Sequence, residues 1–148
     1  MNTIDEALDF AIEQEQIAAD FYAQTAEKAR SAEMKSVLME FSEEELRHKQ
    51  ILLNVKAGEH QLTPQQEVLD LKISDYLIDM EGAENLSYQD ALIVAMKREQ
   101  AAFELYDKMA SEIPAGELKD VLKGLAVEES KHKLFFERQY DDHVLSQN

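Results

Sequence analysis

The chain has 148 residues, enough for one domain around a single core. Its formal net charge of −16 argues against nucleic acid and against an anionic membrane surface, since both would repel it. It contains no cysteine, which excludes disulfides, thiolate chemistry, Cys-ligated zinc and iron–sulfur clusters.

Only 4 Gly and 2 Pro interrupt a composition rich in Ala, Leu, Glu, Lys, Gln and Met, so an all-α fold is expected. Runs of β-branched residues are missing, and strands have little support. The start of the chain is acidic and has no apolar signal core. No apolar run approaches the roughly 20 residues of a membrane span. A cytoplasmic protein is the default expectation.

The first helix begins at Thr3, with Glu6 completing a capping box, and runs to about Ala29. Its inner stripe is Ile4, Leu8, Ala11, Glu15, Ala18 and Tyr22, in steps of three and four. Glu15 is the only charge on it. The second helix starts near Ser31 and ends at Gly58, read as the residue just past its C-terminus. Its stripe is Met34, Leu38, Phe41, Glu45, His48, Leu52 and Val55. The link between the two is short, so they form an antiparallel hairpin.

Residues 59–86 form a packed crossover, because Val68, Leu69, Leu71, Ile73, Tyr76, Leu77, Ile78 and Met80 are too apolar for a free linker. Thr63-Pro64 can open a short helix there, and Gly82 through Asn85 reads as a loop. A third helix starts at Ser87, with Asp90 in the box position, and carries Leu92, Ala95, Glu99, Ala102, Tyr106 and Met109. Ile113-Pro114-Ala115-Gly116 breaks it. The fourth carries Leu118, Leu122, Leu125, Glu129, His132 and Phe136, and the polar tail from Asp141 is expected to fray.

The two halves repeat. Glu15 and Glu99, Glu45 and Glu129, and His48 and His132 are each 84 positions apart. Ala7 and Ala91, Leu8 and Leu92, Ala11 and Ala95, Ala18 and Ala102, and Tyr22 and Tyr106 keep the same step. The chain is read as one domain, 1–148, made of a hairpin at about 3–58 duplicated at about 87–142. Packed about a pseudo-two-fold axis, two hairpins give a four-helix bundle.

Glu45-x-x-His48 and Glu129-x-x-His132 each put a carboxylate and an imidazole on one helical face. Glu15 and Glu99 precede these motifs by the same 30 residues, so the two hairpins bring four carboxylates and two imidazoles to one level of the core. Four buried carboxylates without cations are very costly, because each desolvated charge costs several kcal/mol and like charges repel. Two divalent ions would balance them, and the neutral imidazoles add donors without charge. Oxygen and imidazole donors suit iron or manganese, with zinc or mixed occupancy also compatible. Glu44 and Glu128 lie one position off the stripe and are read as surface, as are His60 in the crossover and His143 in the tail.

Glu15-x-x-Ala18-x-x-x-Tyr22, Glu45-x-x-His48, Glu99-x-x-Ala102-x-x-x-Tyr106 and Glu129-x-x-His132, in this order, resemble the rubrerythrin branch of the ferritin-like di-iron and di-manganese carboxylate bundles. The resemblance covers nearly the whole chain. It implies that Glu45 and Glu129 bridge both metals, that Glu15 and Glu99 bind at the ends, and that His48 and His132 each take one metal. Tyr22 and Tyr106 become the catalytic candidates, with phenols able to hydrogen-bond to the ligands. Two differences stand out. Rubrerythrins proper usually carry a rubredoxin domain with four cysteines; none is present here, so electrons are expected from a separate donor protein. They also carry an extra Glu one turn after the ligand on the third helix, and Ala102 stands in that place.

The expected function is a di-iron or di-manganese oxidoreductase that reduces peroxide or O2 in oxidative-stress defence. A ferroxidase or iron-storage protein is the alternative, and a metal-free structural bundle a third reading. A homodimer is expected, and the long crossover permits exchange of hairpins between subunits.

Overall fold

The computed structural model describes residues 1–58, 62–80 and 82–146; the expectation for His60 lies outside them. The chain is a four-helix bundle. Strand β1 (Asn2–Thr3) leads into helix α1 (Ile4–Ala26), followed by α2 (Ala32–Ala57), strand β2 (Val68–Leu69), α3 (Tyr88–Ser111) and α4 (Glu117–Ser146).

Local signals fix the helix starts. Thr3 Oγ1 accepts from the Glu6 amide at 3.1 Å, while the Glu6 carboxylate accepts from the Thr3 amide at 2.9 Å. Ser31 caps α2 by accepting from the Met34 amide, and Ser87 caps α3 by accepting from the Asp90 amide. The ends differ from expectation in three places. Helix α1 stops at Ala26, where 3₁₀-type bonds such as Ala29 N–H to Ala26 O tighten the chain before Ser31. Gly58 ends α2 with φ −81° and ψ 169°, so it leaves the helix in an extended and not a left-handed conformation. The tail is helical after Asp141, with α4 running through Ser146, and the last two residues of the expected frayed end lie outside the described ones. His143 on that last stretch is half-buried, its ring 5.6 Å from that of Tyr88.

The crossover packs by anchoring at three points. Val68 and Leu69 pair antiparallel with Thr3 and Asn2, and the Ile4 amide donates to Glu67 O at 2.7 Å. The Asp70 amide donates to Glu112 Oε1 at 2.6 Å near the end of α3. Lys28, just past α1, donates its ammonium to Ala83 O and Leu86 O. Thr63 and Gln66 make the reciprocal bonds of a capping box, but the segment closes as a turn instead of opening a helix. Ile73–Tyr76 and Ala83–Asn85 are single 3₁₀ turns, the second entered through Gly82 at φ 76°, a left-handed conformation that favours glycine.

Two apolar clusters result. One gathers Ile4, Leu8, Leu52, Tyr106, Met109 and Leu122; the other gathers Phe21, Tyr22, Leu38, Leu92 and Phe136. Along every helix, Glu15, Glu45, His48, Glu99, Glu129 and His132 fall between the segments that feed these clusters. The polar side chains therefore form a layer closed by hydrocarbon at both ends.

Replacing Thr3 with Ala removes a cap at the point where β1, α1 and the crossover meet. We expect a loss of about 1 kcal/mol in urea unfolding; an unchanged midpoint would show that the cap adds nothing to stability.

Candidate metal centre

Helix α1 contributes Glu15, α2 Glu45 and His48, α3 Glu99, and α4 Glu129 and His132. The four carboxylates are wholly inaccessible to solvent, and the two imidazoles nearly so. Their donor atoms form two groups, Glu15–Glu45–His48–Glu129 and Glu45–Glu99–Glu129–His132, each with its atoms within 4.8 Å of one another. Glu45 and Glu129 belong to both groups, as bridging positions would. Each hairpin's histidine turns Nδ1 toward the other hairpin's shared carboxylate: His48 Nδ1 lies 2.8 Å from Glu129 Oε1, and His132 Nδ1 lies 3.0 Å from Glu45 Oε1.

The outer faces of the imidazoles are held as well. His48 Nε2 is 2.8 Å from Glu128 Oε2, and His132 Nε2 is 2.5 Å from Glu44 Oε2. Glu44 is half-buried, which corrects its surface reading; Glu128 is exposed as expected, its side chain 53% so, yet its carboxylate reaches a buried histidine. Such an outer partner fixes ring orientation and strengthens the imidazole as a donor. Phe41 stacks on His132 at 4.1 Å between ring centroids and holds that ring from the side.

The tyrosines cross between hairpins. Tyr22 on α1 donates its phenolic hydrogen to Glu99 Oε1 on α3, and Tyr106 on α3 donates to Glu15 Oε1 on α1 at 2.5 Å. A helical side chain leans toward the N-terminus of its helix, so a ring two turns beyond a Glu falls back to the level of the carboxylates. Each phenol therefore orients the terminal carboxylate of the opposite repeat.

Arg98, next to Glu99 on α3, went unrecognised in the sequence. It is only 3% exposed, and its guanidinium lies among all four carboxylates. Nη1 pairs with Glu45 and Glu129 and lies 3.2 Å from Glu99 Oε1, while Nη2 lies 3.1 Å from Glu15 Oε1. A signal was available. Arg98 lies three residues after Ala95 and four before Ala102, both on the inner stripe, so it shares the buried face.

Charge and burial compete strongly here. Burial pushes the Glu45 carboxyl well above the ordinary range, against the pull of Arg98. Burial likewise lifts Glu129, to about 7. At Glu15 burial acts in the same direction, but Arg98 and His48 prevail and hold the carboxyl at about 2. Burial disfavours a charged imidazole, yet the carboxylates of Glu129 and Glu15 raise His48 to about 12, and those of Glu45 and Glu99 raise His132 to about 11. Burial and the neighbouring carboxylates push both phenols well above their usual range, so Tyr22 and Tyr106 stay protonated as donors.

The residues present fit a pair of metal ions. Each of the six supplies one buried atom without an aligned hydrogen-bond partner: Glu15 Oε2, Glu45 Oε1, His48 Nδ1, Glu99 Oε2, Glu129 Oε1 and His132 Nδ1. Buried polar atoms are normally satisfied, and six such atoms at one place, carboxylate and imidazole only, suit transition-metal ions.

A helical bundle with this carboxylate–histidine box defines a ferritin-like carboxylate protein. The rubrerythrin family profile matches residues 6–140, and the chain belongs to that family. Two solved structures are similar to it. A candidate ferritin-like diiron-carboxylate protein from Thermotoga maritima superposes with a TM-score of 0.74 at 16% identity, over 95% of this chain and 96% of that one. A hypothetical protein from Pyrococcus furiosus gives 0.71 at 25% identity, over 94% and 89%. No curated protein sequence matches the chain significantly. Among the described residues no helix is long and apolar enough to cross a membrane.

With pKa values raised to about 12 and about 11, both imidazoles carry a second proton at pH 7 in the metal-free protein. A metal takes the neutral ring. Binding of Zn(II) at pH 7 should therefore release the two imidazole protons per chain and further protons from Glu45 and Glu129, whose carboxyls burial holds up, and affinity should rise with pH. A pH electrode in weakly buffered solution reads this directly; uptake without proton release would contradict the assignment of His48 and His132.

Proposed function

We propose that the chain is an oxidoreductase that holds two metal ions, iron foremost, and reduces peroxide or O2 to water with electrons from a separate donor protein. The observation that carries this reading is the set of six carboxylate and imidazole donor atoms, in two groups that share Glu45 and Glu129, converging in one buried layer. Glu45 and Glu129 would be shared between the ions, Glu15 and His48 would complete one, and Glu99 and His132 the other. Bound iron would supply two reducing electrons and open coordination positions for the oxidant.

The rest is the work of the protein. Tyr106 and Tyr22 hold the terminal carboxylates of Glu15 and Glu99 in place. Glu128 and Glu44 fix the two imidazoles. The apolar clusters above and below limit the water that reaches the layer, which strengthens every electrostatic interaction inside it. Peroxide reduction consumes two protons and two electrons per molecule and yields two waters.

One observation favours a second reading, ferroxidase activity. Ala102 is buried beside Arg98 and offers no carboxylate where rubrerythrins proper carry their extra Glu. Without that ligand, Fe(II) itself could serve as the electron source and leave as Fe(III). A homodimer supplied by a donor protein belongs to the first reading, and a hollow shell of many chains to storage.

Anaerobic loading with Fe(II) followed by H2O2 should give rapid oxidation, seen as near-ultraviolet absorbance. Glu45→Gln should slow it by about 10–100-fold. Oxidation no faster than that of free Fe(II), or unaffected by Glu45→Gln, would end the proposal. Sedimentation of the loaded protein separates the two readings: a dimer supports peroxide reduction, and a shell supports storage.

A further inference from the structure

The guanidinium of Arg98 touches an oxygen of every carboxylate that would hold the metals. Its Nη1 lies between Glu45 and Glu129, the two residues common to both ligand groups. It cannot be neutralised, because arginine keeps its charge at any pH a protein experiences. Four carboxylates match two divalent ions in charge, so a guanidinium left among them would be a surplus cation. Arg98 holds Oε2 of Glu45 and of Glu129, the second oxygens that these residues would need to bridge two ions, so metals and Arg98 compete for the shared carboxylates.

The pseudo-two-fold relation sharpens the point. The residue 84 positions before Arg98 is Gln14, a neutral side chain at the equivalent place on α1. The duplicated ligand set does not need an arginine there, since one repeat does without it. Arg98 lines a narrow cleft between α1 and α3 together with Ala11, Gln14, Ala101 and Ala102; its free volume is only about 10 Å³, so the cleft must widen to take a guanidinium.

We infer that Arg98 is an internal, displaceable counter-cation: it holds the carboxylate box together in the metal-free chain and withdraws from it, toward the α1–α3 cleft that it lines, when metal enters. This rests on the reading of the box as a metal centre. In this role Arg98 does two things. It spares the metal-free bundle the repulsion of four buried carboxylates. It also sets a threshold for loading, because apparent affinity falls by the fraction of molecules in which the box is open.

Zn(II) is a suitable probe, being diamagnetic and redox-silent. The chain has four arginines, Arg30, Arg47, Arg98 and Arg138, so its side-chain Nε signals can be resolved by 15N NMR and Arg98 identified by its loss in Arg98→Gln. In wild-type protein freed of metal, the Arg98 signal should be sharp and slow to exchange, and it should shift or vanish in step with Zn(II) binding. By calorimetry, Arg98→Gln should bind Zn(II) about tenfold or more tightly than wild type. Its chelated form should melt lower by about 5 °C or more. Should that variant fail to fold without metal, Arg98→Lys keeps the charge with fewer donors, and the wild-type NMR titration decides by itself. An Arg98 signal unmoved at Zn(II) saturation, or equal or weaker binding by Arg98→Gln, would overturn the displacement while leaving the metal centre standing. Failure of wild type and variant alike to bind Zn(II) would remove both.

Discussion

Four carboxylates enclosed in hydrocarbon set the terms for this protein. Each has left water and each repels the others, and burial, reinforced by that repulsion, drives Glu45 and Glu129 toward their protonated forms. Such a layer persists only where positive charge is delivered to it. The imidazoles of His48 and His132, held from outside by Glu128 and Glu44, and the guanidinium of Arg98 deliver it here. The same oxygens and nitrogens suit metal ions, so the demand for charge that shapes the fold also shapes the chemistry.

Duplication explains how one hairpin's worth of information builds the centre. Each repeat carries a Glu, a Glu-x-x-His and a Tyr, and neither is complete alone. Tyr22 serves Glu99 and Tyr106 serves Glu15; His48 faces Glu129 and His132 faces Glu45. Contacts that cross between repeats tie the hairpins together at the level where they most need orientation. The symmetry breaks at Arg98 and Gln14, and at Phe41, which stacks on His132 while its repeat partner is Leu125.

Much of this was legible in the sequence because the signals were periodic. The apolar stripes gave the helices, the interruptions at Glu15, Glu45, His48, Glu99, Glu129 and His132 marked the layer, and Thr3, Ser31 and Ser87 marked the starts. What escaped was set by tertiary contact. Arg98 drew no reading at all, since its neighbour Glu99 already occupies the charged position of that stripe. Glu44 and Glu128 point off the stripe by helical angle alone, and only the placement of a histidine on the facing hairpin turns them inward. The β1–β2 bridge has two residues per strand, too short for an alternating pattern to show. The Thr63 capping box formed without its helix, because the chain turns at once into β2.

The layering of the bundle has a thermodynamic consequence. The cluster around Leu8, Leu52 and Met109 and the cluster around Phe21, Leu38 and Phe136 are separated by the charged sheet of side chains, not joined by continuous hydrocarbon. Cavities cut into opposite ends share no neighbours, and their energetic effects should simply add. The chain is thus built as two small oil drops joined through an electrolyte, and the cooperativity of their melting is governed by the charged side chains between them.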